Sequence, residues 1–211
     1  MISMEQQDLF ILATGGIRDA ADDWMPASQV HPLVFEDPAL LWLEYHGAQF
    51  GFLPDVSPYD FGGFIGEKGQ QFEERWLAQM APEAVHVCRG GQDVRLAARV
   101  AETLALMAQG VPAIAQPALW WAPEKIYGAP DLIVHTTWLG EHFPHLLAHE
   151  AQQQPHYVVF DLKFTTKIEE SSKNKDRLAY AAQVRLYSYM LGQMQGIMPS
   201  FAYLVTRDRV A

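Results

Sequence analysis

Two acidic residues and a lysine stand where they could hold a hard divalent metal and act on a phosphodiester. Asp161 and Lys163 sit inside the apolar run Val158-Val159-Phe160-Asp161-Leu162-Lys163-Phe164. On an extended strand, side chains alternate, so Asp161 and Lys163 share one face while Phe160, Leu162 and Phe164 share the other. A carboxylate and an ammonium inside such a run are costly unless paired or bound to something. For the pair alone, the plain explanation is a structural ion pair on an exposed edge. Asp131 shifts the balance. It heads a second apolar run, Asp131-Leu132-Ile133-Val134-His135-Thr136, just after Gly128-Ala129-Pro130. If the two runs pair, two carboxylates and a lysine converge. Carboxylates with water and substrate oxygens are what Mg²⁺ or Mn²⁺ takes, and the backbone carbonyl of Leu162 offers another oxygen. A metal held there polarises a phosphoryl oxygen and acidifies bound water. Lys163 would orient that water or offset charge in the transition state.

The elements that must position these groups are readable from periodicity and breakers. Residues 66–80 carry Phe72, Trp76, Leu77 and Met80 at helical spacing, and Pro82 stops the run. Glu73 shares that inner face, whereas Glu74 faces outward. Residues 84–88 suit a short strand, with Gly90-Gly91 as the following turn. The alanine-rich stretch 94–109 predicts a helix ended by Gly110 and Pro112. Three β-like runs follow, 113–121, 130–136 and 157–165. A polar, histidine-rich insertion, about 137–156, with room for a short helix, separates the last two. Residues 176–193 predict a second long helix, and 201–206 a final strand. Helix, helix, three strands, helix, strand implies a mixed sheet flanked by helices, of α/β or α+β class.

Pro130-Asp131 followed by Asp161-Leu162-Lys163 resembles the P-D-(D/E)-x-K nuclease superfamily. The fuller pattern looks like its RecB-like branch. A glycine and hydrophobics frame the first aspartate, and Gln183-Val184-Arg185-Leu186-Tyr187 matches the Gln-x-x-x-Tyr motif of the following helix. Gly69-Gln70-Gln71-Phe72-Glu73 resembles the branch's first motif. The resemblance spans about residues 66–206. It implies a restriction-endonuclease-like core and Mg²⁺- or Mn²⁺-dependent hydrolysis of DNA, single-stranded or at duplex ends, by exonuclease or endonuclease action. Roles in repair, recombination or defence would follow. Asp131, Asp161 and Glu73 are implied as metal ligands with the Leu162 carbonyl, and Lys163 and Gln183 as catalytic partners. Gln183 would touch phosphate or the bound water, and Tyr187 would pack or contact substrate. Two family features are missing: no histidine lies between His46 and His86, and one cysteine cannot hold an iron–sulfur cluster.

Other features bound the function. The net charge of -10 argues against nucleic-acid binding on its face. Its distribution answers that: residues 1–62 carry ten acids and one base, Arg18, whereas 163–211 carry eight bases against four acids. Lys167, Lys173, Lys175, Arg177 and Arg185 follow the metal strand, where a phosphate backbone would pass. The acidic, aromatic residues 1–65 form a separate segment, packed on the 66–211 nuclease domain and suited to a protein partner. That segment keeps open an alternative function, a non-catalytic nuclease-like module used for binding. His145 and His149 have zinc-pair spacing, but a solvated loop is the preferred explanation. The single Cys88 excludes a disulfide framework. The N-terminus does not read as a signal peptide and no run is long enough to span a bilayer, so a cytoplasmic protein is expected.

Overall fold

The computed structural model describes residues 4–20, 23–30, 38–53, 61–148, 154–165 and 175–207. Its strands are β1 (Met25–Pro26), β2 (Val85–His86), β3 (Ala113–Ala115), β4 (Leu119–Trp121), β5 (Ile126–Gly128), β6 (Leu132–His135), β7 (Tyr157–Leu162) and β8 (Tyr203–Val205). Its α-helices are α1 (Met4–Thr14), α2 (Pro38–His46), α3 (Phe61–Met80), α4 (Ala97–Ala108), α5 (Thr136–His142), α6 (Pro144–Leu147) and α7 (Lys175–Gln195). The chain is thus mixed α/β, with two mixed sheets among the described residues.

The larger sheet has the order β2-β3-β6-β7-β8, antiparallel at its centre and parallel at both flanks. Alternation divides its side chains between two apolar clusters. Ile114, Ile133, Tyr157 and Val159 face one cluster with α4, α7 and the smaller sheet. Ala113, Leu132, Val134, Val158, Phe160 and Leu162 face the other, with Leu77 of α3 and Trp138 and Leu139 of α5. Every residue of β7 is buried, which explains its near-continuous apolar sequence. Each such large side chain contributes about 1.5–3 kcal/mol on leaving water. The start of β7 lacks a β8 neighbour. There Gln195, the last residue of α7, accepts from the Tyr157 N–H at 2.8 Å and donates to its carbonyl at 3.0 Å.

The smaller sheet, β1-β5-β4, joins the N-terminal residues to the body of the protein. Met25 and Pro26 run parallel to Ile126 and Tyr127. Trp24 packs edge-on against the fully buried Trp120 at 5.2 Å between ring centroids. Ala13, Ala20 and Ala27 are buried in the same cluster. Residue 65, the expected end of the N-terminal segment, lies within α3.

Two expectations need correction. The run 113–121 is two strands in two sheets. Gln116 adopts a left-handed φ of 48° and Pro117 has no N–H, so the chain leaves the first ladder and re-enters the second at Leu119. Thr103 Oγ1 of α4 accepts the Ala118 N–H exposed by that switch. The insertion about 137–156 carries short helix as expected, but it is not solvated throughout its described part, although His145 is exposed. Thr136 to Leu147 fold as α5 and α6, with Trp138 and Leu139 buried against Phe160. His142 stacks on Trp138 at 4.1 Å, and His156 is only 3% exposed. His149 falls outside the described residues.

Candidate active site

Pairing of β6 with β7 sets Leu132 against Phe160 and Ile133 against Val159. Continuing that register by one residue brings Asp131 opposite Asp161. By alternation both lie on the face with Ile133 and Val159, toward α7. Asp131 Oδ2 accepts the Leu162 N–H at 2.6 Å, so the aspartate closes the last rung of the ladder with its side chain. Lys163 follows directly. Its N–H donates to Val205 of β8 at 2.7 Å, which fixes the backbone, and its Nζ lies 2.6 Å from Asp161 Oδ2. The Tyr180 ring of α7 lies beneath the ammonium, 5.4 Å from Nζ to centroid. Asp161 is 2% exposed, and among the described residues its Oδ2 meets the Lys163 ammonium without a hydrogen bond of good geometry.

The third carboxylate arrives through a residue that motif reasoning missed. Gln116 Nε2 donates to Glu73 Oε1 at 2.5 Å and to Asp131 Oδ1 at 3.2 Å. Its backbone N–H also donates to the Asp131 carbonyl, and its own carbonyl accepts from Cys88. Its left-handed backbone therefore serves both the change of sheet and the tie between α3 and β6. A signal was present: a lone amide in the apolar run Ala-Ile-Ala-Gln-Pro-Ala-Leu needs a partner once buried.

Electrostatics follow from burial and crowding. Burial raises the Asp131 carboxyl well above the usual range, and the Asp161 and Glu73 carboxylates push it further. Burial also raises Glu73, assisted by Asp161 and opposed by the Gln116 amide. For Lys163, burial disfavours the charge, but Asp161 and Asp131 outweigh it and hold the ammonium above its ordinary value. Tyr187 is raised by burial and then by Asp161.

Gln183 and Tyr187 share one face of α7, with Gln183 Nε2 donating to the Tyr187 hydroxyl at 3.2 Å. The Tyr187 ring lies over Gly128, where an added Cβ would meet Cε1 at 2.7 Å. Glycine ahead of the first aspartate is thus a packing requirement. Arg177 is half-buried and Arg185 exposed, while Lys175 opens α7. Lys167 and Lys173 lie outside the described residues.

The donor set suits a hard divalent cation. Such ions take oxygen ligands, and Mg²⁺ commonly uses one or two carboxylates with waters and substrate phosphate. Asp131 and Asp161 are two buried carboxylates, with the Lys163 ammonium 2.6 Å from Asp161 Oδ2. Among the described residues, no three His, Cys, Asp or Glu side chains close a metal cage by themselves. Glu73 instead reaches the pair through Gln116. Beside Glu73 and Gln116 opens a cleft of about 770 Å³ between α3 and the 84–91 stretch.

No protein-family model matches the chain, and comparison with curated proteins and with solved structures gives no match. Among the described residues, no helix is long and apolar enough to cross a membrane.

Proposed function

We propose that this chain is a Mg²⁺- or Mn²⁺-dependent nuclease of the P-D-(D/E)-x-K type, RecB-like, with a restriction-endonuclease-like core, hydrolysing DNA phosphodiesters. One observation supports this most: Asp131 meets Asp161 and Lys163, at least thirty residues later in the sequence, across one strand pair. A divalent ion on Asp131 and Asp161 would supply a polarised phosphoryl oxygen and an acidified water. The remaining work falls to the side chains. In the metal-free site two carboxylates outweigh burial and favour the Lys163 ammonium. As a cation Lys163 would orient the attacking water or offset charge developing on the phosphate. Gln116 holds Glu73 and Asp131 in one arrangement, so that Glu73 faces groups arriving from the cleft. Tyr187, kept protonated by burial, accepts from the Gln183 amide and would steady it for contact with phosphate or the bound water.

Calorimetry with Mn²⁺ tests the metal site. Binding by the wild type and its loss in Asp131→Asn and Asp161→Asn is the expected result. A wild type that binds no Mn²⁺ would assign the chain to a non-catalytic module of the same fold.

A further inference from the structure

Helix α2 reads Pro-Ala-Leu-Leu-Trp-Leu-Glu-Tyr-His, with one acidic residue and no lysine or arginine. A helix apolar around its whole circumference is normally buried. This one is not. Leu40 is 49%, Trp42 46% and Leu43 37% exposed. The chain that leaves it adds Phe50 at 64%, Phe52 at 59% and Leu53 at 78%. These side chains adjoin one another. The Trp42 and Phe50 rings lie 5.3 Å apart between centroids. The Phe52 N–H donates to the Gly47 carbonyl at 2.9 Å, which folds the chain back on the helix. Leu43 and Phe52 then meet over Gly47, where an added Cβ would touch Phe52 Cβ at 3.4 Å and Leu43 Cδ2 at 3.6 Å. Gln29 ties the helix to the body: its amide donates to Glu44 Oε1 at 3.4 Å and its oxygen accepts from the Tyr45 hydroxyl. Nine residues are too few for a helix to persist without packing.

Charge selects what covers this surface. No lysine or arginine lies between Arg18 and Lys68, whereas Glu36, Asp37, Glu44, Asp55 and Asp60 lie within the helix or close to it in sequence. That field repels nucleic acid and anionic lipid, and it repels the same face of a second copy. It attracts a cationic surface. An apolar face with an aromatic centre and an acidic border fits a partner of the inverse pattern. We infer that α2 and residues 50–53 dock on another protein, against an amphipathic helix whose apolar face is bordered by lysine and arginine. The inference is independent of the nuclease function, because none of these residues belongs to the carboxylate site.

The test is fluorescence anisotropy of a labelled amphipathic leucine–lysine helical peptide titrated with the full chain. A leucine–glutamate peptide of the same pattern should bind about tenfold more weakly. Trp42→Ala should weaken leucine–lysine binding about tenfold, as loss of an aromatic anchor does. Met198→Ala removes an apolar side chain that is 47% exposed beside Gly192 of α7, and it should match wild type. Glu44→Lys leaves the apolar side chains in place and should shift the two peptides in opposite directions, each by about threefold. Equal affinity for the two peptides, or leucine–lysine binding that neither Trp42→Ala nor Glu44→Lys alters, would overturn the inference. So would a wild-type dimer in sedimentation that Trp42→Ala dissociates, which assigns the surface to a second copy. Flotation with neutral phosphatidylcholine vesicles that Trp42→Ala abolishes would overturn it too, by assigning the surface to lipid. Cleavage of DNA is a separate readout, and its absence leaves the peptide result unchanged.

Discussion

Replacing Lys163 by alanine should expose how tightly the Asp161 charge depends on its partner. The ammonium lies 2.6 Å from a carboxylate that is 3% exposed, while the lysine side chain is 19% exposed. At an effective dielectric of about 20, that contact is worth roughly 6 kcal/mol of gross attraction. Most of it repays desolvation, and removing one partner of a buried pair typically costs about 3–5 kcal/mol. The partial exposure of Lys163 places the expectation near the low end, about 3 kcal/mol. A domain with about 5–15 kcal/mol of stability remains folded after that loss. Urea denaturation in EDTA at neutral pH should show a midpoint about 1–2 M below wild type. The double variant Asp161→Asn/Lys163→Met removes both charges and should recover most of the difference. A single-variant midpoint within about 0.3 M of wild type would refute the claim that this is a buried, interdependent pair.

Three further outcomes follow from the same geometry. Gln116→Ala cuts the tie between Glu73 and Asp131, so Mn²⁺ affinity should fall about 10–100-fold by calorimetry while circular dichroism stays that of wild type. Burial and neighbouring carboxylates raise the Asp131 and Glu73 pKa values, so their contribution to metal-free stability is full below about pH 4 and is lost as pH rises through the raised values. Asp131→Asn should thus gain stability over wild type as pH rises, and a Tm difference in EDTA that does not grow with pH would contradict this. Gly128→Ala drives a Cβ into Tyr187 and toward Ala27 Cβ at 3.1 Å, which should cost about 1–3 kcal/mol, or about 2–4 °C in Tm per kcal/mol.

What could be read from the sequence is what local periodicity controls. The long helices α4 and α7 lie close to their expected spans because alanine, leucine and glycine punctuation agree there. β6 and β7 were legible as apolar runs, β7 interrupted only at Asp161, whereas their pairing is supplied by the ladder. The 113–121 run failed because both halves are fully buried, so apolarity continues through a change of sheet. Only the polar Gln116 and the following Pro117 marked the break. Helix α3 begins at Phe61 although Gly62, Gly63 and Gly66 weaken its first turns. The smaller sheet was invisible because β1 is two residues long and pairs with a strand a hundred residues away. Trp138 falls in an insertion that reads as polar, and its packing against Phe160 on the α5 side of the sheet makes it core.

The most direct measurement is a time course of cleavage of linear and circular DNA by wild type and by Asp161→Asn, with Mn²⁺ and with EDTA. Degradation by the wild type that requires Mn²⁺ and disappears in Asp161→Asn is the predicted result. DNA left intact by folded wild type in Mn²⁺, or cut equally well by the variant, would contradict the assignment.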